Sequence, residues 1–276
     1  MVESFNLCPT KAGWAFQKKL ESSDKSTALS RGIIGHAMLQ AYFSTLMSTA
    51  NHKQAQQAAR DAVIPFLQEN PASVSTILQE LLPVVQLFTD TYAAMFKRQE
   101  ILAVEEEYRL ELDDIVFPFK VDMVAKEHNK IIIYDWKFVY NLYDNNTIAV
   151  LSQIPKYAGA LRELGTNVTH GMYGFLRYRS LKERTAEKTF LLQPVPQTSM
   201  SPENITRLFR NHIRKATKLA EALQDNGTEL FDDPLGNSFV CSKCSFLALC
   251  AAKTRGEVEL NREVKLSYKP NTYGYV

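Results

Sequence analysis

The sequence predicts a mixed α/β protein, a sheet core flanked by helices with a helical segment inserted near its start. Three observations predict it. Residues 27–98 carry apolar side chains at helical spacing, punctuated by prolines. From residue 101 the pattern changes to the strand-like runs "ILAVEEEYRLEL", "PFKVDMVAKE" and "KIIIYDWKF", joined by short turn signals. Beyond residue 140 a helical stretch, two strand-like stretches and a long helix follow one another, the order of a mixed α/β core.

Taken in order, residues 9–20 read as a first helix. Residues 27–49 follow, with Ile33, Ile34, Met38, Leu39, Tyr42 and Leu46 on one face. Residues 52–69 and 73–98 are also helical, with Pro65, Pro71 and Pro83 as breaks or kinks. A three-strand meander occupies about 101–138, with turns at Asp113-Asp114 and His128-Asn129. A helix is expected at about 147–164, strands at 168–178 and 188–195, and a long helix over 202–225. Ser201-Pro202-Glu203 is a good start for that last helix and Asn226-Gly227 a good stop. The expected organisation is one domain over 1–255, with the insertion at about 51–100 and the core at about 101–200. A polar tail, 256–276, carries Tyr268, Tyr273 and Tyr275.

With 276 residues, 45% of them apolar and 22% charged, the chain can bury an ordinary globular core. A net charge of +2 neither demands nor excludes a nucleic-acid partner, so any basic surface has to be local. No GxxxxGK[ST] phosphate loop occurs, which excludes an ATP motor of that class on this chain. The opening "MVESFNLCPT" has an acidic residue and no apolar core, so no export signal is expected. No run is read as long enough to cross a membrane. The expectation is a soluble, cytoplasmic protein without a membrane partner.

Four cysteines are present, Cys8 and the C-x2-C-x5-C set Cys241, Cys244 and Cys250. In a reducing compartment such a set points to a metal rather than to disulfides. The spacing does not separate zinc from an iron–sulfur cluster, and buried core cysteines are the bland account. With Cys8 as the fourth ligand, the site would tie the two chain ends together. Four thiolates leave no coordination position open for a substrate, so its role would be structural.

The run "IIIYDWKF" poses the sharper question, because a buried strand leads straight into Asp135 and Lys137. A hairpin between 119–126 and 130–138 would bring Asp122 beside Asp135, and alternation puts Asp135 and Lys137 on one face. Two adjacent carboxylates repel and raise one another's pKa, a conflict that a divalent cation removes. An ion pair of Lys137 with Asp135 or Asp122 on a solvated edge is the competing account.

These residues carry a resemblance. Asp122, Asp135-x-Lys137 and Gln153-x-x-x-Tyr157, with Gly32-x-x-x-His36 upstream in "RGIIGH", resemble the RecB-like branch of the PD-(D/E)XK nuclease superfamily. Cys8 with the C-terminal cysteine triplet is similar to the iron–sulfur staple of AddB-type nuclease domains and of CRISPR-associated RecB-like exonucleases. The ordered set spans about residues 6–252, and it is the order rather than any one motif that is specific. Two departures stand out. Phe119 occupies a position, three before the first aspartate, where the family often has glycine, and Pro155 interrupts the Gln153–Tyr157 turn.

The resemblance implies a restriction-endonuclease-like mixed sheet and a metal-dependent deoxyribonuclease. It is expected to be a single-strand or DNA-end exonuclease in recombination, repair or phage and CRISPR DNA processing, in a bacterial, archaeal or phage-infected cell. A structure-specific endonuclease, or a non-catalytic DNA-binding scaffold with a nuclease fold, is the alternative. His36, Asp122, Asp135 and the Trp136 backbone carbonyl are implied ligands of Mg²⁺ or Mn²⁺. Lys137 would orient the attacking water and stabilise charge on the phosphate. Gly32 would let the helix backbone approach closely. Cys8, Cys241, Cys244 and Cys250 would hold a structural [4Fe–4S] cluster, with zinc as the alternative. Gln153 and Tyr157 would contact DNA.

Arg177, at a strand end, and Arg207, Arg210 and Arg214, on one helical face, offer phosphate contacts without base reading. Little sequence specificity is therefore expected. A helicase or recombinase partner and a homo-oligomer are compatible with the absent motor. Glu105, Glu106 and Glu107 form an acidic run beside the core, and Glu107 is the one singled out as an extra site carboxylate.

Overall fold

A computed structural model describes residues 8–22, 27–112, 115–144, 147–148, 151–179, 184–226, 241 and 244–270. The turn expected at Asp113-Asp114, the helix stop at Gly227 and the tail tyrosines Tyr273 and Tyr275 lie outside these. The chain divides into two compact units, one of residues 27–211 and one of residues 1–26 with 212–276.

In the larger unit, α2 (Thr27–Thr49), α3 (His52–Asp61), α4 (Ile64–Glu69) and α5 (Pro71–Phe96) precede the strands. (α1, Pro9–Ala12, belongs to the other unit.) The expected apolar face of α2 is the one that packs: Ile34, Met38, Leu39, Tyr42 and Leu46 are buried, and Phe43 joins them. Asn51 and Asn70 cap α3 and α5, each accepting a backbone N–H three residues on. Pro71 opens α5, where a missing N–H costs nothing, and Pro83 lies within the helix without ending it.

α5 corrects one expectation. Its 26 residues are long and apolar enough to cross a membrane by length and composition. Val74, Ile77, Leu78, Leu81, Val84, Val85, Phe88 and Phe96 are buried along it, so packing inside the unit already accounts for much of that composition.

The sheet has five strands, β2 (Glu100–Leu112), β3 (Ile115–Glu127), β4 (Lys130–Val139), β5 (His170–Arg177) and β6 (Phe190–Pro194), in that spatial order. All neighbours are antiparallel except β4 and β5, which are parallel and joined through α6 (Gln153–Glu163). A short α7 (Ala186–Thr189) leads into β6, and α8 (Pro202–Asn226) follows, its start capped by Ser201 Oγ, which accepts the Asn204 N–H. α6 starts at Gln153, later than expected, so Pro155 falls in the first turn, where it is tolerated.

Strand β4 is the centre of this sheet and is covered on both faces, with Ile132 to Trp136 all buried. Its even-numbered face meets the helices. Trp136 stacks on Phe43 (5.5 Å between centroids) and Tyr134 (5.2 Å) and meets Phe88 edge-on. Gly174 on β5 leaves the space that the Trp136 ring fills. The odd-numbered face presents Asp135 and Lys137 toward α6.

The smaller unit has α1, a π-helical turn (Gly13–Gln17), β1 (Leu20–Ser22), the end of α8, α9 (Leu247–Arg255), α10 (Glu257–Ser267) and β7 (Tyr268–Pro270). Here the chain ends meet as strands, because β1 pairs antiparallel with β7 and Lys269 lies 3.1 Å from Glu21. Trp14, Phe246, Leu249 and Tyr268 form its core. Residues 257–270, expected as part of a tail, are thus regular structure, and Tyr268 is a core residue whose hydroxyl donates to Ser245 O at 2.7 Å.

The close approach expected at Gly32 of "RGIIGH" falls instead to Gly35. A Cβ at Gly32 would meet nothing within 4 Å, whereas one at Gly35 would run into the ring of Phe138 on β4. The close approach of α2 to β4 therefore rests on Gly35. Replacing Gly35 with alanine is expected to cost about 1–3 kcal/mol by overpacking. Gly32→Ala should stabilise by about 0.5–1 kcal/mol, because it removes a helical glycine without a clash. Urea denaturation of the two variants checks both signs.

Candidate active site

The site forms where the β3–β4 ladder ends. Pairing runs from Glu127↔Lys130 to Met123↔Tyr134 and stops there. Asp122 and Asp135 would be the next pair. Beyond that point β3 stays with β2 as far as Ile115, while β4 stays with β5 as far as Val139. The two strands diverge, and their carboxylates occupy the gap. Asp122 Oδ2 takes over the role of the missing ladder acceptor, receiving the Trp136 N–H at 2.6 Å. Asp122 Oδ1 is left facing His36 Nδ1 at 3.7 Å.

His36 comes from α2, placed by the same close contact that Gly35 permits, with its ring edge-on to Phe138 at 5.9 Å. Its Nδ1 is 2.9 Å from Glu105 Oε1, and Lys120 Nζ is 2.8 Å from Glu105 Oε2. Asp135 sits behind this group and is bound by Lys137. The Lys137 ammonium donates to Asp135 Oδ1 at 2.9 Å and to Gln153 Oε1 at 2.9 Å. Asp135 Oδ2 lies 2.7 Å from the same ammonium but off the hydrogen-bonding direction, so it is a buried oxygen with no directed partner. Gln153 Nε2 in turn donates to Tyr157 OH at 3.4 Å. Lys137, Gln153 and Tyr157 thus form one polar row.

Burial drives the electrostatics. It pushes the Asp122 carboxyl up to about 7, with the charge of Asp135 pushing the same way and His36 opposing. Asp135 is also raised by burial, against the pull of Lys137. Burial favours neutral His36, yet Glu105, Asp122 and Asp135 together outweigh it and raise the ring's pKa. Glu105 goes the other way, since hydrogen bonds from His36 and Lys120 outweigh its burial and hold it below the ordinary range.

The donor set suits a hard or borderline divalent cation. His36, Glu105 and Asp122 offer one nitrogen and two carboxylate oxygens within 4.8 Å of one another. Asp135 stands outside that group, with its spare oxygen. The sequence-derived ligands His36 and Asp122 are brought together, while the Asp135 carboxylate is engaged by Lys137.

Glu105 is the addition. The expected extra carboxylate, Glu107, is exposed. The reason lies in the backbone: Glu105 has φ 49, a left-handed conformation rare for such a residue. Buried positions on β2 are odd-numbered before it (Ile101, Ala103), and Leu110 is buried beyond it. Regular alternation treats Glu105 and Glu107 alike, so no local pattern in "EEE" could have chosen between them. Phe119, where a glycine was the family expectation, stacks on Tyr108 at 5.2 Å and meets Tyr157 at 5.4 Å, so it packs against the site's rim.

Among the residues expected to meet DNA, Arg177 ends β5 in register with Val139, and its Nε is buried without a hydrogen-bond partner. Arg207, Arg210 and Arg214 are exposed along α8, where Ile205, Phe209 and Leu219 are buried, and the Arg207 guanidinium donates to Asn204. In the smaller unit none of the four cysteines is in a disulfide. Cys8 is buried and Cys241, Cys244 and Cys250 are half-buried. Burial pushes the Cys250 thiol up, and negative charge on Cys244, Cys8 and Cys241 pushes it further.

Residues 1–251 match the family model of the PD-(D/E)XK nuclease superfamily. The chain is similar to the crystal structure of SSO0001, at 14% identity over 80% of this chain and 85% of that one, with a TM-score of 0.33. It is also similar to that of protein VC1899 from Vibrio cholerae, at 15% identity over 77% of this chain and 56% of that one, with a TM-score of 0.21. No curated protein matches.

The raised Asp122 fixes a pH dependence. A carboxyl whose folded pKa lies near 7 rather than at the ordinary 3.8 keeps its proton on folding, so its contribution to stability is whole below about 4 and is lost as pH rises through about 7. In EDTA, the melting temperature of the wild type should therefore fall relative to Asp122→Asn across that window. Identical profiles for the two proteins would show that Asp122 is not held protonated.

Proposed function

The chain belongs to the PD-(D/E)XK nuclease superfamily, and from that premise we propose that it is a metal-dependent deoxyribonuclease, acting as an exonuclease on single strands or DNA ends. The observation that carries this reading is the pair of buried carboxylates, Asp122 and Asp135, at the end of the β3–β4 ladder with the Lys137 ammonium beside them.

His36, Asp122, Asp135 and the Trp136 carbonyl are the proposed holders of Mg²⁺ or Mn²⁺. When bound, such an ion withdraws charge from the phosphoryl oxygens and lowers the pKa of its water. Asp122 is prepared for it, because one of its oxygens is already fixed by the Trp136 N–H and the other is left to face His36. Lys137 provides a fixed positive charge where negative charge develops on the phosphate, and Gln153 restrains that ammonium. Tyr157, Gln153 and Arg177 are proposed to position the strand being cut, and Arg207, Arg210 and Arg214 to neutralise phosphates. Backbone contacts of this type carry no base readout, so little sequence specificity follows.

Mixed single-stranded DNA, linear and circular, incubated with Mn²⁺ or EDTA, tests the activity. Cleavage of the linear form only, and only with metal, is expected. Equal cutting of circles would favour the endonuclease reading. Asp135→Ala and Lys137→Ala should each lower the rate by at least about 10²-fold while DNA binding survives. Unimpaired cleavage by Asp135→Ala would remove the mechanism.

For the smaller unit we propose a structural [4Fe–4S] cluster on Cys8, Cys241, Cys244 and Cys250, with zinc as the alternative. The raised Cys250 thiol, with the other three cysteines close enough to add to that shift, supports a cationic centre there, since a coordinated thiol loses its proton. Protein purified without oxygen should be coloured, and Cys8→Ser should lose both colour and stability. A colourless, zinc-loaded sample would replace the cluster with zinc.

A further inference from the structure

His36, Asp122, Asp135 and Lys137 account for the family reading, but the most buried carboxylate in contact with His36 belongs to none of those motifs. Glu105 has only 8% of its side chain exposed, comes from β2 rather than from the β3–β4 pair, and is held from two sides, by His36 on Oε1 and by Lys120 on Oε2. Two roles are open to a carboxylate touching a metal-binding histidine. It can accept the N–H of the nitrogen remote from the metal and so orient the ring, or it can bind the metal beside the ring.

The geometry separates these roles. An orienting carboxylate and the metal lie on opposite ring nitrogens. Here Glu105 and Asp122 approach the same nitrogen, Nδ1, at 2.9 and 3.7 Å. A cation shared by His36 and Asp122 must then sit on the Nδ1 edge, where Glu105 Oε1 already stands. The spacing fits as well. Metal–ligand bonds of about 2.0–2.1 Å in octahedral geometry put adjacent ligands about 3 Å apart and opposite ones about 4.2 Å apart. Nδ1 lies 2.9 Å from Glu105 Oε1 and 3.7 Å from Asp122 Oδ1, and all three donor atoms are within 4.8 Å of one another, so only a small inward movement brings them onto such a sphere. A second, separate sign is Asp135 Oδ2, buried behind this group and without a directed partner.

We propose that Glu105 is a direct ligand of the divalent cation, completing with His36 and Asp122 a three-ligand set for Mg²⁺ or Mn²⁺. The proposal rests on the metal-dependent nuclease reading above. Lys120 holds the far oxygen, Oε2, and so leaves Oε1 as the ligating atom. The left-handed backbone at Glu105 turns this side chain, and not that of Glu107, toward the histidine.

The test is Mn²⁺ binding, read from the loss of the free-ion electron paramagnetic resonance signal, on wild type, Glu105→Gln, Glu105→Asn and Asp122→Asn. Glu105→Gln removes the charge at constant shape. Glu105→Asn does so with a residue that accepts a left-handed backbone, so that a folded variant is available if the first misfolds. Melting curves in EDTA establish that each is folded. A direct ligand should cost more than about 100-fold in affinity, because orienting partners cost about 10–100-fold. A smaller loss in the folded Glu105 variants, alongside a large one in Asp122→Asn, would overturn the proposal and leave the nuclease reading standing. No saturable Mn²⁺ binding by the wild type would overturn both.

Discussion

The arrangement that the rest of the structure depends on is a buried electrostatic conflict. Asp122 and Asp135 are placed where two strands part, away from water and beside Glu105. Isolated carboxylates cannot stay ionised in such a place; they bind protons, pair with cations or bind a metal. Without a metal, all the available protein means are in use. Asp122 holds its proton to higher pH than an ordinary carboxyl, the carboxylates around His36 raise its ring's proton affinity, Lys120 meets Glu105 and Lys137 meets Asp135. A divalent ion held there would replace several of these partners at once, as the proposed function requires.

The fold spends its packing on keeping that conflict in place. Trp136 is locked among Phe43, Phe88, Phe96 and Tyr134, and this fixes the phase of β4, so that its odd-numbered residues face α6. A one-residue slip would exchange Asp135 for Trp136 and bury the wrong face. Gly35 brings α2 onto Phe138 and carries His36 to the gap. The helical segment before the sheet is therefore not an appendage to the chemistry. It supplies one of the donors, His36, and the rings of Phe43, Phe88 and Phe96 that pack against the strand carrying Asp135 and Lys137.

The smaller unit repeats the theme in another chemistry. Cysteines from the two ends of the chain come together here, and burial with the charge of Cys244, Cys8 and Cys241 pushes the Cys250 thiol up. A short β1–β7 ladder and the packing of Trp14 with Phe246, Leu249 and Tyr268 already join those ends, so a bound cation would reinforce a closure that backbone pairing and apolar packing begin.

Much of this was legible in the linear sequence. The apolar face of α2, the three strands of the meander, the hairpin that puts Asp122 opposite Asp135, and the pairing of Gln153 with Tyr157 on one turn all follow from periods of two and 3.6 residues, which are local properties of the backbone. Three features were not legible. Glu105 and Glu107 are equivalent in any alternating pattern, and only the left-handed turn of one residue distinguishes them. Gly32 and Gly35 are both helical glycines, and only the position of Phe138, more than a hundred residues away, decides which one is needed. The residues after 255 look like a polar tail until β1 supplies a strand for β7 to pair with. By itself the sequence determined which elements form and which side chains share a face, because those depend on neighbours a few residues apart. Tertiary structure alone decided which oxygen meets which nitrogen, because that depends on where strands from distant parts of the chain stop pairing.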